Sequence, residues 1–439
     1  MHDKIKTGRK ILRGGGKTVL ILFTGIVTGF AALCLVHLLP VERMHQNVQN
    51  SRDTIGAYAQ VVSGYISTTV DNFTDSIILN QAICPVEAPV LEKAVFNYQV
   101  NYWRKYEQPE NLYRFLNGEK GFRYQGYTHY WGGYQVILKP LLMIFNYSDI
   151  LVINMILQTL LGALIILGLY KTGKRYVILP FLTSVLSMMP ITAAICLQLC
   201  DIYYIALTGA ALIVWKREKI KDEGMYLLFL VLGMATSYFD FLTYPFVSLG
   251  VPLVIFLAYL NQYSPAKRFF YTVLCSGQWC VGYLGMWAGK WILGSILIPE
   301  GGALKVAIDS IRYRGSNLSS DNVRLTVLNV VLKNMYVYLR WPVMLLIGGT
   351  ALYLIRRIIL SKSLSGNKLS MLAPYAMVCL YPVAWYMISK NHSYEHAFMT
   401  YRELIITTFA GLCLLAEASL EQEKAAPGPT EQTPAEIIS

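Results

Sequence analysis

Charge is scarce in this chain, and acid scarcer than base: Asp, Glu, Lys and Arg make up 15% of 439 residues, with 26 acids against 38 bases. Hydrophobic residues fill 55% and are spread along the whole length, which excludes a soluble multidomain protein. Histidine is rare as well, with six in all. Of eight cysteines only Cys84 lies outside an apolar run, so no extracytoplasmic disulfide framework suggests itself. Cys196 and Cys200 stand four apart without a nearby histidine and read as core packing. A phosphate-binding loop is missing too: Gly14-Gly15-Gly16-Lys17 lacks the required glycine spacing and precedes an apolar run, so nothing supports nucleotide hydrolysis.

What is present is a series of long apolar stretches punctuated by bases. A bilayer core about 30 Å thick needs roughly 20 apolar residues per helical span. Residues 1–17 carry Lys4, Lys6, Arg9, Lys10, Arg13 and Lys17 ahead of the run 18–39, the pattern of an uncleaved signal anchor with a cytoplasmic N-terminus. Further runs at 149–170, 225–239, 246–260, 269–291, 341–355, 370–388 and up to 416, with a double crossing in 176–215, bring the total to about ten spans. The formal charge of +12 then marks membrane topology through basic cytoplasmic loops, and nucleic acid is not an expected partner. The expected fold is an all-α polytopic membrane protein with both termini inside. Its transmembrane domain covers 18–416, with extracytoplasmic loops at 41–148, 292–340 and 389–402, and residues 417–439 form a disordered cytoplasmic tail. The first loop is long enough for several packed helices, one of them suggested by periodicity at 54–70.

Ionisable residues at membrane depth are costly and mark function, and here they gather on the extracytoplasmic side. Asp71 and Asp75 share a face if 70–78 is helical, and two close carboxylates raise one pKa, which suits a general base acting on a hydroxyl. The bland alternative is a solvated face with a helix-capping Asp. Asp201 and Asp240 fall on hairpin turns, neither in a Gly-x-Gly-Asp setting. Before the second span, His129, Tyr130, Trp131, Tyr134 and Lys139 sit in an aromatic, interfacial segment. The last outer loop holds His392, His396, Tyr401 and Arg402. There His392-Ser393-Tyr394-Glu395-His396 matches an H-x-x-E-H zinc pattern but lacks the domain such an enzyme needs downstream, so no metal site is expected. Read as cations, Arg402 and a histidine suit a phosphate.

A cytoplasmic start, a long acidic first outer loop, interfacial helices and about ten spans resemble the GT-C class of membrane glycosyltransferases. Asp71-Asn72-Phe73-Thr74-Asp75, Tyr130-Trp131-Gly132-Gly133-Tyr134, Phe239-Asp240-Phe241 and Tyr401-Arg402 look like the short polar signatures of such enzymes in bacterial surface-polysaccharide pathways. The resemblance implies an inverting glycosyltransferase of the bacterial plasma membrane, working in cell-envelope glycan synthesis with a polyprenyl-phosphate-linked sugar as donor and a glycan or lipid as acceptor. No nucleotide or obligatory divalent metal is implied. Asp75, Asp71 or Asp240 would be the base, Lys139, Arg340 or Arg402 would hold the leaving phosphate, and Tyr130, Trp131 and Tyr134 would stack on sugar. The competing expectation is a multi-span transporter or lipid-linked-sugar flippase, with Asp201 and Asp240 binding a coupling ion.

Overall fold

The computed structural model describes residues 2–56, 60–102, 107–217, 219–220, 222–299, 302–361 and 366–420. A long helix α1 (His2–Val36) leads into the first loop, which contains α2 (Val41–Gln49), β1 (Gln60–Val61), β2 (Thr69–Val70), α3 (Asn72–Ala82) and α4 (Val90–Phe96). The loop continues through β3 (Gln99–Tyr102), α5 (Gln108–Leu116), β4 (Phe122–Gln125) and α6 (Gln135–Leu142). It is a packed, mostly helical unit, as expected. The segment 54–70 differs: in place of a helix, β1 and β2 pair antiparallel, with Gln60 opposite Val70. The reason is local, because Thr68 and Thr69 turn their hydroxyls onto the carbonyls of Tyr65 and Ile66, and such side-chain bonds compete with helix formation.

Beyond this loop come α7 (Tyr147–Lys171), α8 (Ile178–Ser187), α9 (Pro190–Ala194), α10 (Leu197–Lys216), α11 (Asp222–Phe239), α12 (Val247–Ala258) and α13 (Pro265–Leu297). The rest of the chain forms α14 (Ala303–Arg314), α15 (Val327–Tyr338), α16 (Trp341–Ser361), α17 (Gly366–Cys379), α18 (Tyr381–Ile388), α19 (Lys390–Glu395), α20 (Ala397–Thr400) and α21 (Leu404–Ala418). Among the described residues six stretches are long and apolar enough to cross a bilayer: Gly14–Val36, Tyr147–Lys171, Leu197–Lys216, Trp341–Ser361, Ser370–Ile388 and Ala397–Ala418. The chain is therefore a helical membrane protein. The spans expected at 225–239 and 246–260 fall on the shorter apolar helices Glu223–Phe239 and Val247–Ala258, and the first crossing within 176–215 on Arg175–Ser187. The run 269–291 lies within α13, whose 33 residues extend about 50 Å. The disordered tail expected from 417 begins later than that, because Glu417 and Ala418 belong to α21 and Glu417 is buried against Arg268; residues 421–439 lie outside the described residues.

Helix α12 is the axis of the bundle. It is apolar all round, and all of its residues are buried, as a helix surrounded by other helices requires. Helices α11 and α13 cross closely because glycine is present on both sides: a Cβ on Gly233 would stand 2.1 Å from the Trp279 carbonyl, and one on Gly282 2.1 Å from the Leu230 carbonyl.

Candidate functional site

The site starts at the beginning of α3. Asp71 is its N-cap: one carboxylate oxygen accepts the Thr74 N–H at 3.2 Å and the other accepts the Thr74 hydroxyl at 2.7 Å, satisfying a donor the helix leaves open. The Phe73 backbone bonds to it as well, and a carboxylate has about four acceptor positions, so roughly one remains. Burial pushes the Asp71 pKa up and the Thr74 bonds partly offset this. Asp71, Phe73, Thr74 and Ile77 form one wall of a cavity of about 510 Å³.

Asp75, one turn later, is occupied differently. Its oxygens accept the backbone N–H groups of Leu197 at 2.8 Å and Gln198 at 2.9 Å, together with the Tyr147 hydroxyl at 2.8 Å. Cys196, the N-cap of α10, makes no side-chain cap of its own, so Asp75 supplies one from a distant part of the chain. At 1% exposure it does not line the cavity. Burial raises its pKa to about 6 against the pull of those three donors.

The facing wall is aromatic. Gly133 donates its N–H to the Tyr238 carbonyl at 3.0 Å, an approach that leaves no room for a Cβ, and so holds the segment before α6 against the end of α11. This presents Tyr127, His129 and Tyr130 to the cavity, with the Tyr127 and Tyr130 rings stacked at 6.0 Å and Phe241 5.2 Å from Tyr130. The last residue of α14, Arg314, closes this side: its guanidinium donates to the Tyr130 hydroxyl at 2.6 Å and lies 5.0 Å from that ring.

The third wall comes from α19 and its flanks. Asp240 accepts the Thr243 N–H at 3.0 Å and the Thr243 hydroxyl at 2.5 Å, which folds a turn with Leu242 at φ +66°, a costly angle for a branched side chain. The carbonyl of Leu242 thereby meets His392 Nε2 at 2.6 Å, so that nitrogen carries the proton and donates. The His392 and His396 rings lie 4.7 Å apart. Burial, the neighbouring ring and Arg314 hold the His392 pKa well below its ordinary value; burial and then Arg314 lower His396 to about 4, and the same two causes lower His129. At neutral pH these rings are uncharged, and Arg314 supplies the cationic character of the wall. The segment between α14 and α15 is latched across this end by Asn391 donating to the Leu318 carbonyl at 2.7 Å and Ser320 N–H donating to Glu395 at 2.7 Å. Two buried polar atoms at the cavity, His129 Nδ1 and Gln198 Oε1, have no hydrogen-bond partner among the described residues.

Of the residues the sequence singled out, Asp71, His129, Tyr130, His392 and His396 meet in this cavity. The others do not line it. Trp131 donates its indole N–H to the Met286 carbonyl at 2.7 Å, and Tyr134 stacks on Phe241 at 4.6 Å. Lys139 is buried on α6, where burial lowers its pKa to about 8. Arg340 lies 3.9 Å from the Tyr336 ring. Tyr401 donates to the Ser67 carbonyl at 2.6 Å, and Arg402 to the Thr192 hydroxyl at 2.6 Å and the Phe398 carbonyl at 3.1 Å. Asp240 acts through the Leu242 turn. Sequence reasoning missed Arg314, Tyr127 and Gln198. Arg314 was visible only as one of several bases in a loop, without the fold that turns it inward. Among the described residues no group of three or more His, Cys, Asp or Glu is placed to hold a metal ion.

A second, apolar cavity of about 430 Å³ lies between α6, α7 and α10, lined by Ile137, Leu141, Ile153, Leu157, Ile205 and neighbours. Tyr134 lines it, Phe241 lines the first cavity, and these two stacked rings stand between the pair. Fold and site together define a helical membrane protein with a polar, aromatic-walled cavity beside an apolar one. Comparison with protein-family models, with curated proteins and with solved structures finds no match for this chain.

Proposed function

We propose that this protein is a membrane glycosyltransferase that moves a sugar from a polyprenyl-phosphate carrier to a hydroxyl-bearing acceptor on the extracytoplasmic side, in cell-envelope glycan synthesis. The observation that carries the reading is the 510 Å³ cavity, which combines a partly free carboxylate, a guanidinium and stacked tyrosines in one polar chamber. Carbohydrate faces stack on aromatic rings, a guanidinium matches a phosphate, and a buried carboxylate of raised pKa suits proton abstraction. In this scheme the acceptor oxygen bonds to the anomeric carbon from the Asp71 side and its proton passes to the Asp71 carboxylate. The bond from that carbon to the phosphate oxygen breaks, its electron pair stays on the phosphate, and Arg314 stabilises the charge. Inversion at the anomeric carbon follows. The adjoining apolar cavity suits the prenyl chain.

The reading narrows the three acids to one. Asp75 binds Leu197, Gln198 and Tyr147 and Asp240 holds its own turn, and neither lines the chamber, whereas Asp71 caps its helix and does line it. The test is reconstitution of the purified protein with a panel of polyprenyl-phosphate sugars and read-out of polyprenyl phosphate release by mass spectrometry. Release in the wild type and its loss in Asp71→Asn support the reading. Movement of an intact lipid-linked sugar across the bilayer without release would make the protein a flippase.

A further inference from the structure

Helices α14 and α15 leave apolar stripes uncovered in the outer loop. On α14, Leu304, Ile308 and Ile311 recur at i, i+4 and i+7 on one face and are 53%, 40% and 51% exposed. On the neighbouring face Ala307 is buried, and Ser310 and Arg314 line the polar cavity. Lys305 and Arg312 border the apolar stripe on its other edge, both exposed. Helix α15 repeats the pattern with Leu328, Leu332, Met335 and Tyr336 exposed, while Val330, Asn334 and Val337 are buried. Its inner face is pinned, since Asn334 donates to the Ser393 carbonyl at 2.9 Å and accepts the Thr400 hydroxyl at 2.8 Å. The apolar exposure continues along the chain on both sides, into Ile292 and Ile296 of α13 and Trp341, Met344 and Leu345 of α16.

We infer that α14 and α15 lie in the headgroup region of the outer leaflet, with their apolar stripes against the lipid and the Lys305–Arg312 edge against anionic phospholipid headgroups. Continuity with the apolar faces of α13 and α16 selects lipid over a protein partner, because one kind of surface then serves α13, α14, α15 and α16 alike. A basic edge beside an apolar stripe is the charge pattern of an interfacial helix. Seated this way, α14 holds Arg314 at the level of lipid phosphates, so the membrane itself positions the cation of the cavity. The bilayer thus completes that wall. The inference concerns placement and stands whether or not the cavity transfers sugar.

The test places p-benzoylphenylalanine at position 304, 308 or 332, and at position 309 as the control, beyond the Lys305–Arg312 edge and roughly 130° round the helix from the stripe. The full chain goes into nanodiscs of phosphatidylethanolamine and phosphatidylglycerol, is irradiated, and is read by mass spectrometry without any sugar substrate. Phospholipid adducts are expected at 304, 308 and 332 and not at 309. Lys305→Gln and Arg312→Gln should each lower adduct yield at 308, by on the order of fivefold in anionic and not in phosphatidylcholine nanodiscs, the factor one cation contributes at an anionic leaflet. Equal yields at 308 and 309 would overturn the inference. So would cross-links from 308 to a protein. The positions replaced are exposed, so elution as a single species in detergent confirms a folded sample.

Discussion

The Asp75 carboxylate accepts the Leu197 N–H at 2.8 Å, so an acid in the first loop caps a membrane helix more than a hundred residues away. Asp71, four residues earlier, caps its own helix and faces the cavity. The two acids should therefore fail in different ways. Asn caps a helix about as well as Asp, so Asp71→Asn should leave Tm close to wild type while abolishing transfer. Asp75→Asn sets an amide NH2 against backbone donors in a buried site and should cost about 1–3 kcal/mol of stability. Thermal unfolding in detergent beside a transfer assay separates the cases. A stable, inactive Asp75→Asn would reverse the assignment.

Arg314 and Arg402 make a similar pair. Losing a charged hydrogen bond to substrate costs about 1.5–3 kcal/mol, so Arg314→Gln should reduce kcat/KM for the lipid-phosphate donor by roughly ten- to a hundredfold, with Tm little changed. Arg314→Lys should recover part of that loss, since a point charge replaces a fork. Arg402 is fully buried and donates to Thr192 and Phe398, so Arg402→Gln should lower Tm instead. A KM effect confined to Arg402 would return the phosphate site to the last outer loop.

The sequence carried the helical framework because bilayer thickness imposes a length on apolar runs, and each expected span falls on a helix. It also carried Asp71, His129, His392 and His396, whose residue types are scarce in this apolar chain, and Tyr130 through its aromatic segment. Arg402 and Lys139 were equally conspicuous and point elsewhere, because their orientation depends on neighbours far along the chain, such as Thr192 for Arg402. Arg314 was hidden for the converse reason. The periodicity of α14 exposes its apolar stripe but does not say which edge meets the cavity. The segment 54–70 misled because its helical spacing was outweighed by threonine hydroxyls bonding to their own backbone.

At the end of the bundle away from the cavity, Arg268 and Glu417 form a buried pair at 2.6 and 3.2 Å, with the Tyr375 hydroxyl donating to the same carboxylate at 2.8 Å. Breaking a buried pair from one side leaves the other charge uncompensated, at a cost of about 3–5 kcal/mol. Glu417→Gln should therefore unfold far earlier than wild type in a thermal scan. The double change Arg268→Met with Glu417→Met should recover most of that loss, because two apolar groups need no partner. A double variant no better than Glu417→Gln would mean the pair does more than neutralise itself.

Acid should loosen the cavity through its histidines. His396 titrates at about 4 in the folded protein against 6.5 ordinarily, so between those values the unfolded chain binds more protons. His392 is lowered further by burial, by His396 and by Arg314, and acts in the same direction. The stability these rings contribute is complete above pH 6.5 and is lost as pH falls toward 4. Asp75 and Asp240 oppose them: with folded pKa values of about 6 and about 7, above the ordinary 3.8, the native state binds the extra protons over that range and gains stability on acidification. Tm measured from pH 7.5 down to 5 reports the difference between these opposing slopes in the wild type. In the double variant His392→Gln, His396→Gln, Tm should rise relative to wild type as pH falls, since the Asp75 and Asp240 slopes are then less opposed. Parallel wild-type and variant profiles would show that these two rings do not set the acid limit of the fold.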